Sequence, residues 1–356
     1  MKELNINGRK ISQNRPCYFI ADIAANHDGD LSRAKDLIYL AKDAGADAAK
    51  FQHFRAETIV SDKGFANLGT QVSHQAKWEK SVSEVYRDAT VPASWTAELA
   101  ETCQLAGIDF FTSPYEKAIV DEVDPYVPAY KIGSGDITWI EQIEHVCSKN
   151  KPVILAAGAS NLTDVQRAMD VMMQKAVGGI CLMQCNTNYT AAIENMHYIN
   201  LRVLETFKSM YPAVPLGLSD HTPGHASVLG AIALGACMVE KHFTDDTTRV
   251  GPDHLFSMDA PAWRDMVDRS RELEAALGTG NKKVEENESE TVVIQRRCIR
   301  MARNIEEGEI LTEQDLKVLR PAPKGSIPPY KIQDVIGKTA NRRLEKGEHL
   351  SVTDLC

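Results

Sequence analysis

The chain has 356 residues, which suits a barrel of about 250 residues followed by a smaller unit. Hydrophobic residues make up 43% and charged residues 25%, the balance of a globular protein in water. The formal charge of −9 argues against non-specific nucleic-acid binding, so any site for an anion must be locally basic.

No apolar run reaches the roughly 18 residues that a membrane helix needs. The N-terminal MKELNINGRK lacks the apolar core of a signal peptide, so cytoplasm is the expected compartment. Eight cysteines (Cys17, Cys103, Cys147, Cys181, Cys185, Cys237, Cys298 and Cys356) form no CxxC pair. Most lie inside apolar runs and read as buried free thiols rather than a zinc cluster.

The first element in chain order is LNINGRKI, where Asn7-Gly8 between short alternating runs predicts a two-residue hairpin. Eight apolar runs follow: 18–27, 46–54, 108–115, 129–136, 152–160, 179–189, 215–222 and 237–244. Continuous rather than alternating apolarity predicts strands covered on both faces, as in a parallel sheet. Between them, 32–45, 94–107, 161–176, 224–235 and 261–278 carry apolar residues at helical spacing, the last stopped by Gly278. Strand–helix alternation predicts a (β/α)8 TIM barrel with an N-terminal hairpin, over residues 1–278. Residues 55–91, with Gly64, Gly69 and Trp78, are long for a connection and predict a lid or substrate wall.

Residues 279–292, TGNKKVEENESETV, are polar and predict a linker. Residues 293–356 predict a small mixed domain in which EEGE (306–309) and EKGE (345–348) each precede an apolar pair and a capping residue. A domain of about 60 residues is marginal by itself and should pack on something.

In a TIM barrel the active site lies at the C-terminal strand ends. The residues closing the runs include Asp22, Asn26, His27, Lys50, Gln52, Thr112, Ser113, Lys131, Ser134, Asp136, Ser160 and Tyr189. Ser219, Asp220, His221, Glu240, Lys241 and His242 complete the set. Lys50 and Lys131 inside apolar strands need partners. They predict a clamp on a phosphate-plus-carboxylate anion aided by Ser113, Ser134 and Ser219, or else internal ion pairs with Asp22, Asp136 or Glu240. A Schiff-base lysine is the third option. His221 and His242 close neighbouring strands about 5 Å apart, so their imidazoles can meet and hold a divalent ion. Asp22 and Asp136 are the candidate catalytic carboxylates, able to move a proton or to steady positive charge.

The stretches FIADIAANHDGD (19–30), AGADAAKFQ (44–52), PAYKIGSGD (128–136), GLSDHTPG (217–224), EKHFTDD (240–246) and RVGPDHLFSM (249–258) resemble the sialic acid synthases. That family includes the N-acetylneuraminate, legionaminate and pseudaminate synthases. The terminal unit is similar to the SAF (antifreeze-like) domain that ends them. The resemblance implies condensation of phosphoenolpyruvate with an N-acetylated hexosamine aldehyde, either N-acetylmannosamine or a 2,4-diacetamido-6-deoxy hexose, with phosphate released by C–O cleavage. It further implies that Lys50, Ser113, Lys131, Ser134 and Ser219 hold phosphoenolpyruvate. Gln52, Tyr189 and Asp253 would face the sugar, and His221 and His242 would ligate Mn²⁺, Mg²⁺ or Co²⁺. Arg320 would reach the partner's barrel in a domain-swapped homodimer. The sequence departs from the family pattern at Asp22 and Asp136, where Glu is usual, at Ala156, where Ser is common, and at Asn186, Thr187 and Asn188. Another phosphoenolpyruvate–aldehyde synthase and a non-catalytic carbohydrate-binding barrel are the alternatives.

Overall fold

The structure, a computed structural model, describes residues 3–68, 75 and 78–356. It divides into two compact units, Met1–Gly278 and Thr279–Cys356.

The first unit opens with the hairpin β1 (Leu4–Ile6) and β2 (Arg9–Ile11). Asn7 and Gly8 both take positive φ, 47° and 80°. A two-residue turn of matching twist needs that conformation, and Asn-Gly adopts it at little cost. Leu4, Ile6 and Ile11 are fully buried and join one core with Tyr18, Ile20, Phe111, Ile154, Met183 and Met238. The hairpin therefore stoppers the lower end of a barrel, and each buried aliphatic side chain contributes about 1.5–3 kcal/mol.

The barrel strands are β3 (Tyr18–Asp22), β4 (Ala48–His53), β5 (Asp109–Pro114), β6 (Tyr130–Ile132), β7 (Val153–Ala156), β8 (Ile180–Cys185), β9 (Leu216–Asp220) and β10 (Ala236–His242). Every paired neighbour is parallel, in the order β5-β4-β3-β10-β9-β8-β7-β6. The end strands β5 and β6 lie side by side, so the sheet is a nearly closed (β/α)8 barrel. The strands are shorter than the apolar runs that signalled them. Within 129–136, for example, β6 stops at Ile132 because Ser134–Asp136 turns into a 3-10 helix.

Alternation along each strand sorts side chains between two cores. Phe19, Ala21, Ala49, Phe51, Tyr130, Ile132 and Leu218 pack outward against helices that include Leu31–Asp43, Thr96–Ala106, Leu162–Lys175 and Ala260–Leu277. Their partners in the alternation fill the barrel, apolar in its lower part and polar at the top, where Asp22, Lys50, Ser113, Lys131, Ser219 and Glu240 are all buried. The sequence thus builds a dry floor beneath a ring of buried polar groups.

The long connection after β4 holds helices Ala56–Ile59, Asp62–Asn67 and Val82–Asp88. Gly69 and its neighbours to residue 74, with 76 and 77, lie outside the described residues. Among the described residues no helix is long and apolar enough to cross a membrane.

The second unit begins differently from the predicted linker. Glu285 and Glu288 cap each other reciprocally, and the 3-10 turn Glu286–Glu288 leads into a helix, Ser289–Gln295. Acidic side chains at a helix start complement its dipole, a signal that polar composition conceals. Strands β11 (Cys298–Met301) and β12 (Leu316–Leu319) pair antiparallel over a core of Ile299, Met301, Ile305, Leu311, Leu344 and Leu350. The unit has an internal repeat. Arg303 bonds Asp315 and Glu309 just as Arg342 bonds Asp354 and Glu348, at 2.7 and 2.9 Å in both copies. The EEGE and EKGE turns place Gly308 and Gly347 at φ 86° and 87°, a conformation that disfavours any residue with a Cβ.

Candidate active site

Two connected chambers open at the C-terminal strand ends. The inner one is lined by Asp22, Lys50, Ser113, Lys131, Ser134, Ala156, Cys185, Ser219, His221 and Glu240. The outer one is lined by Ala25, Phe54, Gln75, Trp78, Val85, Tyr86, Ala89, Pro252 and Asp253. Gln52, Tyr115, Tyr189 and His242 line both and form the neck between them.

The floor of the inner chamber is a network of four charges. Lys50 Nζ lies 2.6 Å from Asp22 Oδ2 and 3.8 Å from Glu240 Oε1, and Lys131 Nζ lies 3.1 Å from the same Glu240 oxygen. Lys50 is 2% exposed, and burial pulls its pKa down. The adjoining Asp22 and Glu240 outweigh that, so the group ends above its ordinary value and stays charged. Lys50 also reaches Ser113 Oγ at 3.5 Å, Gln52 donates to Asp22 at 3.0 Å, and Ser219 donates to Glu240 at 3.3 Å. Both lysines therefore converge on one cradle and pair internally as well. Among the described residues Glu240 Oε2 has no hydrogen-bond partner, so the cradle keeps an open polar edge.

Ser134 Oγ accepts the Gly158 N–H at 3.0 Å. A Cβ on Gly158 would lie 2.1 Å from Thr187 Oγ1 and 2.8 Å from Ser134 Oγ, so only glycine fits beside this hydroxyl. Ala156 lines the same chamber and offers it no hydroxyl.

The imidazoles of His221 and His242 have ring centroids 5.4 Å apart. Tyr189 stands 4.4 Å from the first and Phe256 4.8 Å from the second. His221 donates Nδ1–H to the Asn186 carbonyl at 2.9 Å in the tautomer that frees Nε2, the usual arrangement behind a metal-ligating histidine. Burial, His221 and Lys50 hold His242 well below the ordinary histidine pKa, so its ring is neutral. Among the described residues the buried Nδ1 of His242 has no hydrogen-bond partner. Among the described residues no group of three or more His, Cys, Asp or Glu could hold a metal ion. The pair could supply two imidazole ligands to a divalent ion.

Strand alternation separates functional side chains from structural ones in the motifs SDH and EKH. Asp220 and Lys241 point outward and pair with each other at 2.5 Å, with Thr222 and Ser227 completing the Asp220 shell. Ser219, His221, Glu240 and His242 point inward. Asp253 sits across the neck, its Oδ2 accepting the Ala25 N–H at 3.0 Å, and burial pushes its carboxyl up to about 6. Its loop is fixed by His254, which bridges Thr244 Oγ1 and Asp28 Oδ1 at 2.8 Å each.

Asp136 is placed differently. It ends the turn beyond β6 and lines neither chamber. Burial raises its pKa from 3.8 to about 6. The folded state binds this proton more tightly, so stability falls as pH rises between those two values, by up to about 3 kcal/mol. Asp136→Asn should therefore raise the urea midpoint at pH 7.5, with the difference shrinking as pH is lowered toward 4. Equal midpoints at pH 7.5 would contradict this burial.

Arg320 belongs to the second unit and is exposed. His27 is fully buried, and Trp95 lies edge-on to its ring at 5.6 Å, away from both chambers. Glu240, Tyr115 and Cys185 in the inner chamber, and Phe54, Val85 and Tyr86 in the outer one, were not singled out by sequence as substrate-facing. Glu240 was detectable from its two-residue spacing to His242. Seven cysteines are buried and free as expected, and Cys356 is exposed.

Fold and site together define a (β/α)8-barrel enzyme that brings an anion cradle up against a pair of imidazoles. Residues 37–282 match the NeuB family and residues 296–355 the SAF domain. The chain is 32% identical to the N,N'-diacetyllegionaminic acid synthase of Legionella pneumophila, over 97% of this chain and 98% of that one. It is 31% identical to the N-acetylneuraminate-9-phosphate synthase of Homo sapiens, over 93% of this chain and 90% of that one. The crystal structure of the N-acetylneuraminic acid (sialic acid) synthetase from Leptospira borgpetersenii, in complex with citrate, aligns with a TM-score of 0.72 at 28% identity. That alignment covers 82% of this chain and 95% of the other. The chain belongs to the NeuB family and ends in a SAF domain.

Proposed function

We propose that the protein condenses phosphoenolpyruvate with the aldehyde of an N-acylated hexosamine, giving a nine-carbon 2-keto-3-deoxy acid and phosphate. The carrying observation is the neck, where the two-lysine cradle and the His221–His242 pair open onto one another. Relatives named as legionaminic acid and N-acetylneuraminate-9-phosphate synthases support the reaction class.

Lys50 and Lys131, with Ser113, Ser134 and Ser219, hold the phosphate and carboxylate. Phosphoenolpyruvate then competes with Asp22 and Glu240 for the two ammonium groups. The C3 carbon attacks the aldehyde carbon, which Gln52 and Tyr189 orient at the neck. Positive charge develops at C2, where the displaced carboxylates of Asp22 and Glu240 steady it. Water adds at C2, and its oxygen becomes the ketone as the C–O bond to phosphate breaks. A divalent ion such as Mn²⁺, Mg²⁺ or Co²⁺, held by His221 and His242, would supply Lewis-acid polarisation of the aldehyde oxygen. By the same reading the protein is a cytoplasmic homodimer. The exposed Arg320 of one copy faces the acceptor in the other.

Phosphoenolpyruvate labelled with ¹⁸O in the C–O–P bridge tests the chemistry. The label is expected in the released phosphate. Label retained in the keto acid would overturn C–O cleavage.

A further inference from the structure

Asp253 stands on a long loop, residues 243–258, that leaves the barrel at the end of β10 and returns to the same place. The Thr244 N–H donates to the Met258 carbonyl at 3.0 Å and the Met258 N–H to the His242 carbonyl at 2.9 Å, which closes the loop at its base. Its tip, residues 248–251, is exposed. Closure at the base leaves the intervening residues free to take many conformations, so a single place for Asp253 needs further bonds.

Two sets of bonds tie this loop to the one that follows β3, residues 23–30. In the first, the fully buried Asn26 donates through Nδ2 to Ser257 Oγ at 2.8 Å and to the Phe243 carbonyl at 2.9 Å. Ser257 Oγ in turn donates to the Asp253 carbonyl at 2.7 Å. In the second, the fully buried His254 donates from Nε2 to Asp28 Oδ1, and in that neutral tautomer its Nδ1 accepts from the Thr244 hydroxyl, both at 2.8 Å. Arg249 donates to Asp28 Oδ2 from Nε at 2.9 Å and Nη2 at 2.6 Å. Arg33 joins the two sets, its Nε donating to the Asn26 carbonyl at 2.8 Å and lying 3.2 Å from Asp28 Oδ2. The crossing is tight, since a Cβ on Gly251 would lie 2.6 Å from His254 Cδ2. Between the sets the Ala25 N–H donates to Asp253 Oδ2 at 3.0 Å, which leaves Oδ1 to a ligand in the outer chamber.

We propose that Asn26, Asp28, His254 and Ser257 are positioning residues that act through Asp253, holding its carboxylate at the neck where the acceptor sugar meets it. The inference rests on the condensation proposed above and on Asp253 facing the sugar. Asn26 and Ser257 fix the backbone of Asp253, and Asp28 and His254 fix the residue after it, so the carboxylate is gripped from both sides. A displacement of about 1 Å at a substrate-positioning group can cost on the order of 10²-fold in rate, which makes such support worth its buried polar atoms. The lysine cradle lies outside the tie, on other strands. The four residues therefore serve the acceptor and not phosphoenolpyruvate.

The test compares the full-length parent with Ser257→Ala, Asp28→Ala, Asp253→Ala and the two double variants that combine Asp253→Ala with either of the others. Phosphate release is followed with phosphoenolpyruvate, Mn²⁺ and the faster of two acceptors, N-acetylmannosamine and 2,4-diacetamido-2,4,6-trideoxymannose. Ser257→Ala and Asp28→Ala should each raise the acceptor KM by on the order of tenfold and leave the phosphoenolpyruvate KM unchanged. In the Asp253→Ala background either change should add little, because both act through Asp253. Hydrogen exchange at the Ala25 amide reads the placement without turnover, and it should quicken by on the order of tenfold in both single variants. Asp253→Ala, which removes the acceptor of that bond, sets the upper limit. Unchanged exchange at Ala25, an equal rise in both KM values, or full additivity in the double variants each overturns the proposal. A parent that releases no phosphate with either acceptor overturns the condensation instead, and exchange at Ala25 still decides the placement.

Discussion

Lys131→Met is expected to lower kcat/KM for phosphoenolpyruvate by on the order of 10³ and to destabilise the barrel by about 3 kcal/mol. The two effects have different causes. The activity loss follows from removing one of two cations that converge on the cradle. The stability loss follows from Glu240, which is 5% exposed and has Lys131 as its nearest ammonium at 3.1 Å. Lys50, at 3.8 Å and already bonded to Asp22 at 2.6 Å, can make good only part of that. Adding Glu240→Gln to the variant removes the stranded charge, so the urea midpoint should return toward the parent while turnover stays lost. Phosphate-release kinetics and urea unfolding on the parent, the single and the double variant separate the two effects. Near-parent kcat/KM in Lys131→Met would remove Lys131 from the cradle.

The charge network also shows why two readings of the lysines, anion clamp and internal ion pair, could not be separated from the sequence. In the folded chain the pairs Lys50–Asp22 and Lys131–Glu240 exist, and they occupy the chamber that an anion would enter. The carboxylates of Asp22 and Glu240 keep Lys50 charged when no anion is present. Asp22 is engaged by Lys50, Gln52 and the Ala24 N–H. Its length suits a partner on the neighbouring strand, since Asp22 and Lys50 are in register across β3 and β4.

The barrel was legible because its signals are local. Asn7-Gly8 dictates a hairpin, continuous apolar runs dictate covered strands, and polar residues closing those runs mark the upper end. Two-residue alternation also contained the answer to which of Asp220, His221, Glu240, Lys241 and His242 face inward, once one of them was placed. The outer chamber was legible only in part: the connection 55–91, expected as a lid or substrate wall, supplies Trp78, Val85 and Tyr86. Its wall joins Phe54, Val85 and Tyr86 from one connection to Pro252 and Asp253 from another, and no local pattern links residues so far apart in the chain. Asp136 illustrates the reverse limit. It follows a strand end as a catalytic carboxylate would, yet it lines neither chamber and acts by its charge on Tyr115 and Tyr86, which do.

His242→Ala is expected to abolish metal-dependent phosphate release, a loss on the order of 10³ or more, while the chain still folds. Its ring ends β10, stands 3.5 Å from Asp22 Oδ2 and packs against Phe256 and Tyr189. Removing it strands no buried charge, because Asp22 keeps Lys50 and Gln52 as partners. The cost to stability is therefore a partly apolar cavity, about 2–4 kcal/mol, and the larger effect falls on ligand binding. Metal content is the decisive readout, since it is independent of turnover. The parent should bind one Mn²⁺ per chain by calorimetry, and His242→Ala and His221→Ala should each bind far less. Exhaustive chelation of the parent should reproduce the variants' inactivity, with Mn²⁺ restoring the parent alone. The two imidazoles stand 5.4 Å apart, His242 held neutral by burial and His221 with its Nδ1 on the Asn186 carbonyl. Full activity of the parent in chelator would show that the pair serves the acceptor directly, as hydrogen-bonding groups, without an ion between them.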